Sequence, residues 1–185
     1  MPDNSILAEY TGTGASAATA AQDHLPPGVD SSRTMAKTDL GRVNAIKDRF
    51  NTVAKKYDLP PSLLAAIASR ESRCGNILID GWGDHHHGFG IMQVDIGTFP
   101  DPAGQPDPYS VEHIDQATGL LAKYFGTMTD KFPAQPQSRQ LQAAVAAYNR
   151  GTGGIGSPDT ADAGTTGHDY SNDVWVRASF HAIGW

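Results

Sequence analysis

Apolar positions along this chain recur mostly at helical spacing. Over residues 35–57, Leu40, Val43, Ile46, Phe50, Val53 and Tyr57 return at three- and four-residue steps, the period of an amphipathic helix that Ser31 or Ser32 is placed to cap. Pro60-Pro61 ends that helix and starts a short apolar one over 63–73, because proline suits a first helical turn; Gly75 supplies its stop. Ser110 caps a helix over 111–132 with Ile114, Leu120, Leu121, Tyr124 and Phe125 on its apolar face, and Pro133 and Pro136 break it. Leu141, Ala144, Val145 and Tyr148 share one face of a helix over 140–149, and a last helix opens at His168 or Asp169. Period two occurs at 89–94, where Phe89, Ile91 and Gln93 alternate with Met92 and Val94, which predicts a short strand or hairpin. Residues 1–30, rich in Gly, Ala, Thr, Ser and Pro, read as an irregular arm that wraps the domain or stays loose, and residues 151–167 as a flexible loop. The fold class is therefore α+β, mainly α, with a small β element, in a single domain over 1–185.

Charge narrows the partners. A net charge of −6 argues against nucleic acid, which needs a basic face, and against attraction to anionic surfaces except through a local basic patch. No window approaches a membrane span. Residues 1–10 lack a charged segment followed by an apolar run, so no signal peptide is expected. The expected location is cytoplasmic, or outside the cell by a non-classical route. Cys74 is the only cysteine, so no internal disulfide can form.

The candidate chemistry lies between Arg70 and Asp95, in R-E-S-R-C-G-N-I-L-I-D-G-W-G-D-H-H-H-G-F-G-I-M-Q-V-D. Leu64, Ile67, Ala68 and Glu71 fall at i, i+3, i+4 and i+7, which puts Glu71 on the buried face of its helix. A carboxyl there is partly desolvated, its pKa rises, and a raised pKa is what a general acid needs. The alternative has Glu71 pairing with Arg70 or Arg73 at the rim. Asp84 and Asp95 would lie opposite one another across a hairpin centred near Phe89-Gly90, unless they are only turn or cap residues. Trp82 offers a flat surface of the kind sugar rings stack on. A buried acid facing exposed acids across a cleft is the arrangement for glycoside hydrolysis.

These residues carry a resemblance to goose-type lysozyme. S-R-E-S, G-W-G-D and G-F-G-I-M-Q-V-D match that family's motifs in order and spacing. Ala147-Tyr148-Asn149 with Gly151 resembles its A-Y-N-x-G element, and Gly164 to Asp173 its carboxy-terminal segment. The resemblance implies a lysozyme-like fold and cleavage of the β-1,4 bond between N-acetylmuramic acid and N-acetylglucosamine in bacterial peptidoglycan. It implies that Glu71 is the general acid and that Asp84 and Asp95 hold the attacking water. It implies sugar contacts from Trp82, Gln93, Phe99, Tyr148, Asn149 and Tyr170. No metal or organic cofactor is implied; the partners are peptidoglycan or N-acetylglucosamine oligomers and a proteinaceous lysozyme inhibitor, with the chain a monomer that acts on extracellular or phagocytosed bacteria.

The departures from that family are also legible. The cysteines of its avian members align near Asp3, Ala17, Pro27 and Asp58, so both bridges are absent. Ile96-Gly97-Thr98-Phe99 replaces a basic stretch, and Arg150 stands where a small residue is usual. His85-His86-His87 is not read as a metal site, because adjacent residues point to different sides and rarely chelate one ion. Two rival readings stay open: a lytic transglycosylase on the same fold, which needs only Glu71, and a recognition protein that keeps the cleft without turnover.

Overall fold

A computed structural model describes residues 4–185. In chain order it contains α1 (Ala17–Ala20), α2 (Val29–Ala45), α3 (Lys47–Tyr57), α4 (Pro61–Ser72), β1 (Trp82–Gly83), β2 (Gly88–Phe89), β3 (Val94–Asp95), α5 (Val111–Lys131), α6 (Gln137–Arg150) and α7 (Tyr170–Ala182). The architecture is α+β and mainly α, as expected. At its centre is α4, buried continuously from Pro61 to Ser69. Its sequence is apolar or small all the way round, as a helix enclosed on every side requires. The helices α2, α3 and α7 pack around it, and α5 lies on α6 and α3. Ala65, Ala66 and Ala68 keep α4 thin enough for these neighbours to approach. Ser110 caps α5 as predicted, its side chain accepting from the His113 N–H.

Several expectations are corrected. The single helix over 35–57 is two. Ile46 leaves helical geometry (φ −125, ψ 17), and its N–H turns back to the Val43 carbonyl at 3.2 Å. The apolar period continues through the bend because Ile46 still packs on the core, which is why periodicity hides the break. Neither Ser31 nor Ser32 caps α2, which starts at Val29 after Gly28. The Ser32 hydroxyl instead donates to Asp173 at 2.6 Å and accepts the Ala15 N–H at 2.9 Å. The stop of α4 comes before Gly75: Arg73 adopts the left-handed conformation (φ 55), and the Cys74 N–H reaches back to the Ala68 carbonyl at 2.9 Å. That conformation is unfavourable for a residue with a side chain, but the Arg73 guanidinium is anchored on Asp39 and Asp23.

The hairpin expected around Phe89-Gly90 is also corrected. Strands β1, β2 and β3 form one antiparallel sheet in that order, and residues 90–93 are a turn rather than strand. Trp82 pairs with Phe89 and Gly83 with Gly88; Gly88 pairs in turn with Asp95, and Phe89 with Val94. Asp84 and Asp95 are therefore not opposed. They stand on either side of Gly88.

From residue 4 onward the arm wraps rather than stays loose. The carbonyls of Leu7, within its 3-10 segment Asn4–Glu9, and of Tyr10, just after it, accept the Trp175 indole N–H at 3.1 and 2.9 Å. Of the positions aligned with family cysteines, Asp3 lies outside the described residues. The loop over 151–167 is also ordered, into the 3-10 segments Thr152–Gly154, Pro158–Gly164 and Thr166–His168. The buried Asp162 organises it, accepting the backbone and side-chain donors of Ser171 and Asn172 at 2.7–3.0 Å.

A buried ionic network joins α2, α4 and α7. Asp173 accepts from Arg177 at 2.9 Å and from Arg70 at 2.8 Å; Arg70 also reaches Asp169 at 3.0 Å. Asp39 accepts from Arg73 at 3.0 Å and from Arg42 at 2.5 Å. The arm joins the same network, since Ser16 donates its N–H to Asp169 and Thr19 takes a bond from Arg70. These bonds tie the arm to the core in a chain whose one thiol, Cys74, is buried. Reducing agent is accordingly expected to leave the melting temperature unchanged; a drop of several degrees by calorimetry would contradict this.

Candidate active site

The continuous burial of α4 ends at Ser69, so Arg70 and Glu71 emerge at its last turn, while Ser72 is again buried. The two side chains part company there. Arg70 turns to Asp169 and Asp173, and Arg73 to Asp39 and Asp23, so neither forms an ion pair with Glu71. Glu71 faces a cleft of about 490 Å³ between the α4 end, the small sheet and the segment around Thr166 and Tyr170. Burial pushes its carboxyl up to about 7, against the pull of the Tyr170 hydrogen bond and the Arg70 charge; the Asp84 charge adds to the upward push. A carboxyl poised there is half protonated near neutral pH and can deliver a proton to a leaving oxygen.

Tyr170 sits at the first turn of α7, its ring under the Arg70 guanidinium (5.4 Å) and its hydroxyl donating to Glu71 Oε1. That bond favours the ionised carboxylate. Tyr170→Phe should therefore raise the Glu71 pKa further and move the basic limb of the pH–rate profile to higher pH. An unmoved or lowered limb would contradict the assignment of that bond.

Across the cleft, the sheet presents the other two acids. Asp84 leaves β1 in the left-handed region (φ 45), is exposed, and has no side-chain partner among the described residues. Asp95 ends β3, where its Oδ2 accepts the Thr98 N–H at 3.0 Å and hydroxyl at 3.1 Å; its Oδ1 has no partner among the described residues. Gly88 lies between them in the sheet order, and the Gln93 side chain occupies the space a side chain at 88 would take. Gln93 closes the floor: its amide lies over the Gly83 and Gly88 backbones, where a Cβ would come within 2.2 and 2.4 Å of Oε1.

The remaining predicted residues fall in different places. Asn149 lines the cleft and is braced by Thr166, whose N–H donates to Oδ1 at 2.9 Å. Tyr148 lines an adjoining hollow of about 250 Å³ that shares Gln93, Asp95 and Asn149 with the main cleft; its hydroxyl donates to the Met92 carbonyl at 2.7 Å. Trp82 is half-buried on β1, packed edge-to-face with Phe89 at 5.0 Å between ring centres and outside the cleft lining, and Phe99 is half-buried against the core. Sequence reading missed Gln22, Ile77, Leu78, His87 and Thr166 as cleft walls. No local pattern marks them; tertiary packing brings them there. His85, His86 and His87 are exposed, two of them in left-handed geometry, beside Asp84.

A desolvated carboxyl with a raised pKa facing two exposed acids over an open cleft defines a carboxylate glycosidase on a lysozyme-like fold. Comparison with known proteins agrees. The lysozyme g family model matches residues 6–183. The chain is 44% identical over 179 residues to a lysozyme g of Epinephelus coioides, with 91% of each chain covered. It is 40% identical over 175 residues to one of Gallus gallus, covering 91% of this chain and 79% of that one. It is also 41% identical over 180 residues to a glycine, glutamate and proline-rich protein of Lottia gigantea, covering 93% of this chain and 43% of that longer one. The chain belongs to the lysozyme g family.

Proposed function

We propose that this glycosidase hydrolyses the β-1,4 bond between N-acetylmuramic acid and N-acetylglucosamine in peptidoglycan by single displacement. Glu71 protonates the leaving oxygen. Asp95, helped by Asp84, holds and activates a water on the opposite face of the sugar, and Gln93, Tyr148, Asn149 and Tyr170 shape the site around it. The observation that carries this reading is the split between the acids: one carboxyl raised to about 7 on α4, and two exposed ones on the sheet. A retaining enzyme needs its second carboxylate within about 5.5 Å of the first, against the anomeric carbon, whereas an inverting one leaves room for water at about 6.5–9.5 Å. Two exposed acids that line one cleft, with the Gln93 amide beside them, suit holding a water there. The names of the relatives support lysozyme activity, and antibacterial defence is its biological setting in this proposal. The protein acts as a monomer on extracellular or phagocytosed bacteria and is open to block by a proteinaceous inhibitor that fills the cleft.

The test is product analysis. Incubation with purified peptidoglycan should release fragments with hydrated reducing ends, read by mass spectrometry. Fragments ending in 1,6-anhydro sugars would overturn the hydrolytic reading in favour of a transglycosylase, and no release would favour a recognition protein.

A further inference from the structure

The turn between β2 and β3 is buried, with Ile91 and Met92 both 0% exposed. Buried backbone groups must each find a partner, and here four separate parts of the chain supply them. The Ile91 N–H donates to the Pro108 carbonyl at 3.1 Å, and the Ile91 carbonyl accepts the Ser72 hydroxyl at 2.8 Å. The Met92 N–H donates to His113 Nε2 at 3.1 Å, and the Met92 carbonyl accepts the Tyr148 hydroxyl at 2.7 Å. Ser72 adjoins Glu71 and Tyr148 borders the cleft, so this turn is where the helix of the acid meets the strand of Asp95.

His113 differs from the other partners. It lies on α5, away from the cleft, and takes no part in the chemistry described above. Its ring is wholly buried, edge-on to Phe89 at 5.5 Å, and packs on Gly90, where a Cβ would sit 2.4 Å from the ring. Burial pushes the imidazole down to about 4, against the pull of Asp107, so it stays neutral and able to accept. With Nε2 accepting, the ring proton is on Nδ1, which has no partner among the described residues. A buried polar atom without a partner costs stability. An apolar side chain at 113 would avoid that cost but could not bind Met92. The next residue, Gln93, is held in left-handed geometry (φ 51), and Asp95 follows two residues later.

We propose that His113 is a positioning residue for the reaction: by accepting the Met92 N–H it locks the 90–93 turn in the register that presents Asp95 to the cleft. The inference rests on the reading of Asp95 as the acid that holds the attacking water. Without the acceptor, the Met92 peptide must rotate toward another partner, and the rotation passes through Gln93 to the Asp95 carboxylate. A displacement near 1 Å at a reacting group can cost roughly a hundredfold in rate.

The test compares kcat and KM on a soluble N-acetylglucosamine oligomer for the parent, His113→Leu, His113→Gln, Asp95→Asn and the Asp95→Asn/His113→Leu double variant. His113→Leu should lower kcat at least about tenfold with KM changed less than about twofold, since a misplaced water-holding group affects chemistry more than sugar binding. His113→Gln, whose amide oxygen falls near the position of Nε2, should recover kcat to within about threefold of the parent. In the Asp95→Asn background, the leucine should cost less than about twofold more, because it acts through Asp95. A folded His113→Leu protein with parental kcat overturns the proposal, and so does an undiminished tenfold loss in the Asp95→Asn background. Parental activity in Asp95→Asn alone overturns the reading of Asp95 and this inference with it, a result distinct from either. If His113→Leu does not fold, nitrogen NMR of the parent imidazole decides: the Nδ1–H tautomer is expected, and the Nε2–H tautomer overturns the proposal.

Discussion

Glu71→Gln is expected to abolish most activity while stabilising the fold at alkaline pH. Proton delivery by a placed side chain is worth roughly 10²–10⁴-fold, and glutamine keeps the shape while delivering no proton. A variant that cleaves peptidoglycan at more than about a tenth of the parental rate would contradict the assignment. In the parent, kcat should fall as pH rises through about 7, where Glu71 ionises. The stability effect follows from the same shift. A carboxyl raised from 4.5 to about 7 carries a penalty in the folded state once pH exceeds its unfolded value, because ionisation is then easier in the unfolded chain. That penalty grows from about pH 4.5 to about 7 and stays above it. The Gln variant, free of it, should melt higher than the parent at pH 8 and should lose that advantage at pH 4. An equal difference at both pH values would mean that Glu71 is not the group that titrates near neutrality.

Asp173→Asn is expected to have the largest effect on stability. Burial alone would push the Asp173 carboxyl up; Arg177 and Arg70, with the Ser32 hydroxyl, overcome it and hold the group below the ordinary carboxylate value. Removing the charge leaves Arg177 and Arg70 short of a counterion in a buried site. Breaking such a pair on one side costs roughly 3–5 kcal/mol, or on the order of 10 °C in melting temperature for a chain of this size. The sign with pH is fixed by the lowered pKa. The contribution is complete above the unfolded value of 3.8 and is lost as pH falls through the folded one. The gap between parent and variant should therefore be full at pH 7 and should close only in strong acid. A drop of less than about 1 kcal/mol at pH 7 would show that solvent reaches the network. Because Arg70 adjoins Glu71 and also grips Asp169, the variant should lose activity at temperatures where it is still folded.

What could be read from the sequence was what local spacing governs. The Ser110 cap, the start of α4 at Pro61 and the inward face of Glu71 all depend on residues within a turn or two of one another. The sheet register was not legible, because strands of two residues leave no periodicity to read; the alternation at 89–94 belongs to a turn whose partners come from residues 72, 108, 113 and 148. The bend at Ile46 and the ordering of residues 151–167 around Asp162 were hidden for the same reason, since both are decided by packing and by bonds distant in sequence. The acids were identifiable one by one. Their arrangement on either side of Gly88, with Gln93 beneath, required the fold.

The most direct test of the account is the stereochemistry of a single turnover. Protonation by Glu71 with water delivered from the opposite face by Asp95 and Asp84 inverts the anomeric centre, so a β-linked substrate must yield the α-anomer first. Proton NMR of a fresh digest of an N-acetylglucosamine oligomer or muropeptide, recorded before mutarotation, reads the anomer directly. An initial excess of α that decays toward equilibrium is expected. An initial excess of β would mean two displacements through a covalent intermediate, and would contradict the water site between the two aspartates.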